Sequence, residues 1–84
     1  MSVEIVLRVF PKSSEVGIDE LVEKIKEKVS PEKIEKEPLA FGLFAVKVHK
    51  VVEEKEGEAE KIEKEIKEIE GVGECQIISL TRLL

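Results

Sequence analysis

The chain has 84 residues, which gives room for one small domain over 1–84 with a thin core and no deep active-site cavity, so a binding module is expected before an enzyme. With 39% charged and 42% hydrophobic residues it is too apolar for a disordered segment and too charged for a membrane span. A formal charge of −5 argues against a general phosphate-backbone binder, since such proteins gain affinity by releasing counterions to Lys and Arg, so direct nucleic-acid contact is not expected.

Val3, Ile5, Leu7 and Val9 alternate with Glu4, Val6, Arg8 and Phe10, a period-two pattern that predicts a strand ended by Pro11. After the loop Lys12 to Gly17, Ile18, Leu21, Val22, Ile25 and Val29 recur at helical spacing, with Asp19 and Glu20 in the first turn where the helix dipole favours acids. Ser30-Pro31 ends that helix. Glu32 to Phe41 contains Pro38, which has no N–H for a ladder, so this stretch reads as an edge strand. Gly42 lies near a hairpin turn, and Phe44, Val46 and Val48 then alternate with Ala45, Lys47 and His49 up to Val51-Val52. Ala59, Ile62, Ile66 and Ile69 form a second helical stripe, supported by Glu60 with Lys64 and Glu63 with Lys67, each four apart in the favourable order. Gly71 breaks it, and Cys75 to Leu84 returns to β-type residues.

The order β-α-β-β-α-β with two one-faced helices predicts an α+β, ferredoxin-like sandwich: a four-stranded antiparallel sheet, order 4-1-3-2, with both helices on one face. Ile5, Leu7, Ile25, Val46, Val48, Ile62 and Ile66 should form its core. The turn near Phe41 and the strand end at Leu84 then lie at opposite ends of the sheet, on the order of 25 Å apart at ~3.3 Å per residue.

Few residues suggest chemistry. One thiol, Cys75, and one imidazole, His49, fall short of a four-ligand zinc set, so no metal or cofactor is expected. Cys75 shares the phase of Ile77 and reads as an inert core thiol, and His49 as a surface residue on the outer sheet face. That outer face, with Val6, Phe10, Val51 and Ile78 interrupted by Arg8, Lys47 and His49, is open to two readings: a partner-binding apolar patch or simple lateral packing. The glutamates sit on polar helix faces or in loops among lysines. Two segments stand apart. In Glu37-Pro38-Leu39-Ala40-Phe41-Gly42-Leu43 a phenylalanine stands at a turn, either capping the core or exposed, with Gly42 marking a positive φ or a close backbone approach. In Leu80-Thr81-Arg82-Leu83-Leu84 an arginine near the strand end either snorkels at the sheet edge or projects.

At these residues the chain resembles the archaeal elongation factor 1-beta family, guanine-nucleotide exchange factors of translation. The resemblance is carried by Phe10-Pro11, by Glu37-Pro38-Leu39-Ala40-Phe41-Gly42-Leu43, by Ile69-Glu70-Gly71-Val72 and by Leu80-Thr81-Arg82-Leu83-Leu84, and it spans essentially the whole chain. It implies a non-enzymatic adaptor of ferredoxin-like fold that binds GDP-bound elongation factor 1-alpha, disturbs its Mg²⁺ and phosphate site, and speeds GDP release so that GTP reloads; with no apolar run of ~18 residues and no signal-peptide pattern at Met1 to Phe10, a cytoplasmic monomer is expected. It also implies a partner-binding set of Phe41, Gly42, Arg82, Leu83 and Leu84, with Arg82 matching the family's inserted basic residue and Phe41 the aromatic set on another domain of the partner. The connection Val29 to Ile34 is shorter than the usual family loop, and the eukaryotic branch has Lys at the inserted position. Other readings on this fold fare worse. Acylphosphatases use a catalytic Asn and an Arg in the first loop, and this chain has no Asn and no Arg between Lys12 and Gly17. RNA-recognition modules stack bases on aromatics on the open face of their central strands, where Phe10 stands alone. A small-molecule-binding regulatory domain is the remaining alternative.

Overall fold

The computed structural model describes residues 1–84 and has the order β1 (Ser2–Pro11), α1 (Ile18–Val29), β2 (Lys33–Pro38), a single 3-10 turn (Ala40–Gly42), β3 (Phe44–Glu53), α2 (Glu58–Lys67) and β4 (Val72–Leu83). The sheet order is β2-β3-β1-β4 with every neighbouring pair antiparallel, which is the expected 4-1-3-2 arrangement read from the other edge. Strand periodicity sends Val3, Ile5, Leu7 and Val9 of β1 and Val46 and Val48 of β3 to the helix side, where all are buried. They meet Leu21, Ile25 and Val29 of α1 and Ala59, Ile62 and Ile66 of α2, residues three and four apart that fall on one face of each helix. All the expected core residues belong to this cluster.

The helix ends follow from local chemistry. Asp19 and Glu20 occupy the first turn of α1 and Lys26 and Lys28 the last, complementing its dipole. Ser30 leaves the helix with φ 46°, its N–H still bonded to the Lys26 carbonyl, and Pro31 prevents continuation. Helix α2 stops at Lys67, short of Ile69, which packs on the core from the turn before Gly71 (φ 100°). Three strand limits also differ from the sequence expectation. Pro11 ends β1 paired with Val72 instead of lying beyond it, β2 covers only Lys33–Pro38, and β4 begins at Val72.

Strand β4 carries a β-bulge. Leu7 pairs with Ile77 but Val6 pairs with Ser79, so Ile78 is an extra, unpaired residue. Alternation counted straight on from Cys75 and Ile77 would send Thr81 and Leu83 to the helix side. The bulge reverses the phase, placing Leu80 opposite Ile5 and Arg82 opposite Val3, both in line with the helix-side residues of β1.

The outer face carries charged pairs among its apolar residues. Arg8 donates to Glu37 through Nε (2.7 Å) and Nη2 (3.1 Å), and His49 lies between Glu35 (3.3 Å) and Glu4 (3.7 Å). Val6 is buried on this face, and Phe10 and Val51 are half-buried. The hydrogen bond from Arg8 holds the Glu37 carboxyl below its ordinary range. The two sheet edges contrast. Edge strand β2 reads Lys-Ile-Glu-Lys-Glu-Pro, with charges and a proline that discourage further pairing, whereas β4 has no charged residue from Gln76 to Thr81.

Candidate functional site

Large apolar side chains left in solvent gather at the two ends of the sheet. Leu39, Phe41, Leu43 and Phe44 lie at the end where β2 turns into β3, and Met1, Leu80, Leu83 and Leu84 at the end where β1 begins and β4 finishes; Ile78, on the bulge, is the remaining one. Single exposed apolar residues need no explanation, but two clusters at opposite ends of an otherwise charged surface mark contact points.

At the hairpin end, Pro38 pairs with Phe44 as the last rung of the β2–β3 ladder. The intervening chain is closed by the Leu39 N–H on the Leu43 carbonyl (2.7 Å) and the Leu43 N–H on the Ala40 carbonyl (3.3 Å). Within this loop Phe41 has φ 61° and ψ 31°, a left-handed conformation that costs a bulky residue about 1–2 kcal/mol, and its side chain is 98% exposed. The strain opposes folding, and no contact with the core offsets it. The reading of Phe41 as a core cap therefore fails, and the ring stands in solvent. Gly42 follows with φ 73°, and a Cβ placed there would meet nothing within 4 Å, so its role is the positive φ and not a close approach. Beside the ring, Phe10, Pro11, Ile18, Leu39, Leu43 and Phe44 line an open apolar groove. Sequence reasoning did not find this groove because its walls come from two stretches far apart in the chain, the end of β1 with the start of α1 and the β2–β3 turn. The quoted Phe10-Pro11 and Leu39 to Leu43 segments were the only signal.

At the other end, Arg82 is held by a single hydrogen bond from Nε to Oε1 of Glu54, in the connection between β3 and α2. Its side chain is 64% exposed, so the guanidinium neither snorkels along the sheet nor projects wholly unattached. Leu83 pairs opposite Ser2 and Leu84 is fully exposed beyond the last rung. The Glu54 contact was not legible beforehand, since it depends on the phase reversal at Ile78. About eight strand residues separate the Arg82 and Phe44 levels of the sheet, or roughly 26 Å at ~3.3 Å each, within a molecule whose longest dimension is 39 Å.

The remaining chemistry-bearing residues lie away from both ends. Cys75 is buried, and desolvation, with Glu63 adding to it, pushes its thiol up to about 12, as expected of an inert core cysteine. His49 is on the outer face, as expected, paired with carboxylates. No group of His, Cys, Asp and Glu is arranged to hold a metal ion, and no helix is long and apolar enough to cross a membrane.

Residues 4–83 match the family model described as the EF-1 guanine nucleotide exchange domain. The chain belongs to that family. Among its relatives, elongation factor 1-beta of Hyperthermus butylicus is 40% identical over 84 residues, covering 94% of this chain and 91% of the relative. Those of Methanocorpusculum labreanum (39% identical, 98% and 96% covered) and Sulfolobus acidocaldarius (38% identical, 99% and 98% covered) are similar over nearly their whole lengths. The match includes the hairpin and reaches Leu83.

Proposed function

We propose that this chain is a guanine-nucleotide exchange factor that, as a monomer and without contacting nucleic acid, grips GDP-bound elongation factor 1-alpha at two points. Phe41 anchors one domain of the partner, while Arg82, flanked by Leu83 and Leu84, reaches the Mg²⁺ and phosphate site on another. The observation that carries this reading is the placement of a strained, 98% exposed phenylalanine and an exposed guanidinium at opposite ends of one rigid sheet. Such a spacing fits two domains of one partner better than a single small ligand.

The mechanism needs no covalent step. A guanine-nucleotide site holds GDP through Mg²⁺ and short-range contacts to the phosphates. A unit cation delivered about 4 Å from another charge in a partly buried setting interacts with it by on the order of 4 kcal/mol, and each ~1.4 kcal/mol is tenfold in rate. Arg82 brought beside the metal repels it and competes for its oxygen partners, which weakens the hold on GDP. The Phe41 contact contributes binding energy of its own, which offsets the repulsion between the delivered cation and the metal.

Stopped-flow release of a fluorescent GDP from elongation factor 1-alpha tests this. The wild-type chain should accelerate release at micromolar concentration. Arg82→Ala should retain the fold and most of the affinity but lose more than roughly tenfold of the saturating acceleration, and Arg82→Lys should keep a good part, since it preserves the charge and loses the fork. Full acceleration by Arg82→Ala at saturation would show that the charge is not the agent.

A further inference from the structure

The two arginines of the chain are both paired with a glutamate, and the pairs differ in a way that bears on function. Glu37 takes Arg8 through two parallel hydrogen bonds, and both side chains are only about one-third exposed (33% and 27%). That geometry uses the Nε edge of the guanidinium fully, as in a structural clamp. Glu54 takes Arg82 through Nε alone, and the Arg82 side chain is 64% exposed. A guanidinium has five N–H donors in one plane, so the terminal amino groups of Arg82 remain available to a second partner while the first holds the group in place.

Glu54 is itself fixed. It follows Glu53, the last residue of β3 and the partner of Ser2, and its N–H donates to the Met1 carbonyl at 2.8 Å, which ties the start of the β3–α2 connection to the first residue of the chain. Arg82 is fixed at its backbone by pairing with Val3. Glu54 and Arg82 are thus both mounted on the same end of β1, and the bulge at Ile78 turns the arginine to the side on which Glu54 lies.

We infer that Glu54 is a positioning residue for Arg82: it holds the guanidinium by its inner edge and presents the outer edge to the phosphate and metal site of the GTPase. The inference rests on the exchange reading given above. Without Glu54, an arginine with a long flexible stem at a strand end samples many rotamers, and only a fraction of encounters delivers the charge correctly. Such an exposed pair is weak, so the expected effect is modest, about three- to fivefold. Arg8 and Glu37, on the outer face, take no part.

A double-mutant cycle read by stopped-flow GDP release at saturating concentration tests it. Glu54→Ala in the wild-type chain should lower the saturating rate about three- to fivefold, with half-saturating concentration unchanged and the melting temperature lowered by no more than about 8 °C, and Glu54→Gln should lower it less because its side-chain oxygen still accepts from Nε. In an Arg82→Ala background Glu54→Ala should change nothing further. An equal drop in both backgrounds, or a faster rate for Glu54→Ala alone, would overturn the assignment. So would an unchanged rate for Glu54→Ala alongside a large loss for Arg82→Ala, and that result would leave the exchange reading intact. Full activity of Arg82→Ala would remove the exchange reading and, with it, this inference.

Discussion

Phe41 carries a backbone strain that its fully exposed ring does nothing to offset, and a residue kept under those conditions points to a partner. Its substitutions should therefore separate folding from binding. Phe41→Ala removes no buried contact and should change stability by less than about 0.5 kcal/mol while raising the half-saturating concentration for exchange. Phe41→Asn is more telling, because Asn tolerates the left-handed region: it should raise stability by about 0.5–1 kcal/mol and bind no better than the Ala variant. Denaturant unfolding and partner titration of the same samples check both, and loss of the fold in either variant would put Phe41 back in the core. Cys75 is the opposite kind of residue. With a thiol pushed up to about 12 by burial, it should resist alkylation in the native protein and react only on unfolding. The unfolded state ionises first, near 9.0, so the stability contributed by the buried thiol is complete below that pH and is lost as pH rises toward 12. Equal denaturation midpoints at pH 8 and pH 11 for the wild type, relative to Cys75→Ala, would contradict this.

At the level of elements, the helices are amphipathic and short, and most of their stability comes from the face they bury. Ile66 is fully buried between α2 and the sheet, and Ile66→Ala should cost roughly 2–5 kcal/mol, a large share of what so small a domain has. An unchanged melting temperature would place it outside the core. These faces were legible in the sequence because one local rule decides them: Ile5, Leu7, Val46 and Val48 repeat every second residue, and Leu21, Ile25, Ile62 and Ile66 every third or fourth. The element limits were less so. Pro11 was expected beyond β1, yet it closes the strand, because the missing N–H matters little at a terminal rung. The phase of β4 after Ile77 was not legible at all. A bulge is set by how a strand registers with its neighbour, and β1 lies at the far end of the chain. The contact of Arg82 with Glu54 and the groove beside Phe41 were hidden for the same reason, since each joins residues that no local pattern relates. Phe41 and Arg82 themselves stood out because each was poorly explained by the pattern around it.

For the molecule as a whole, the separation of the two ends makes a further prediction. Sites more than about 10 Å apart with no shared partner contribute additively. The double variant Phe41→Ala with Arg82→Ala should thus show the anchoring loss of the first and the rate loss of the second, their free energies summing to within ~0.5 kcal/mol. A strongly non-additive result would mean that the ends communicate through the sheet and do not act as independent grips on a rigid bar. The topology has one more consequence. The first strand made, β1, occupies the centre of the sheet but receives β4 as its last neighbour, and β4 also delivers Cys75 to the core. The strand that completes the core is therefore the strand that carries Arg82. A chain interrupted before β4 would lack both the Cys75 contribution to the core and Arg82, so the packing and the guanidinium are lost together.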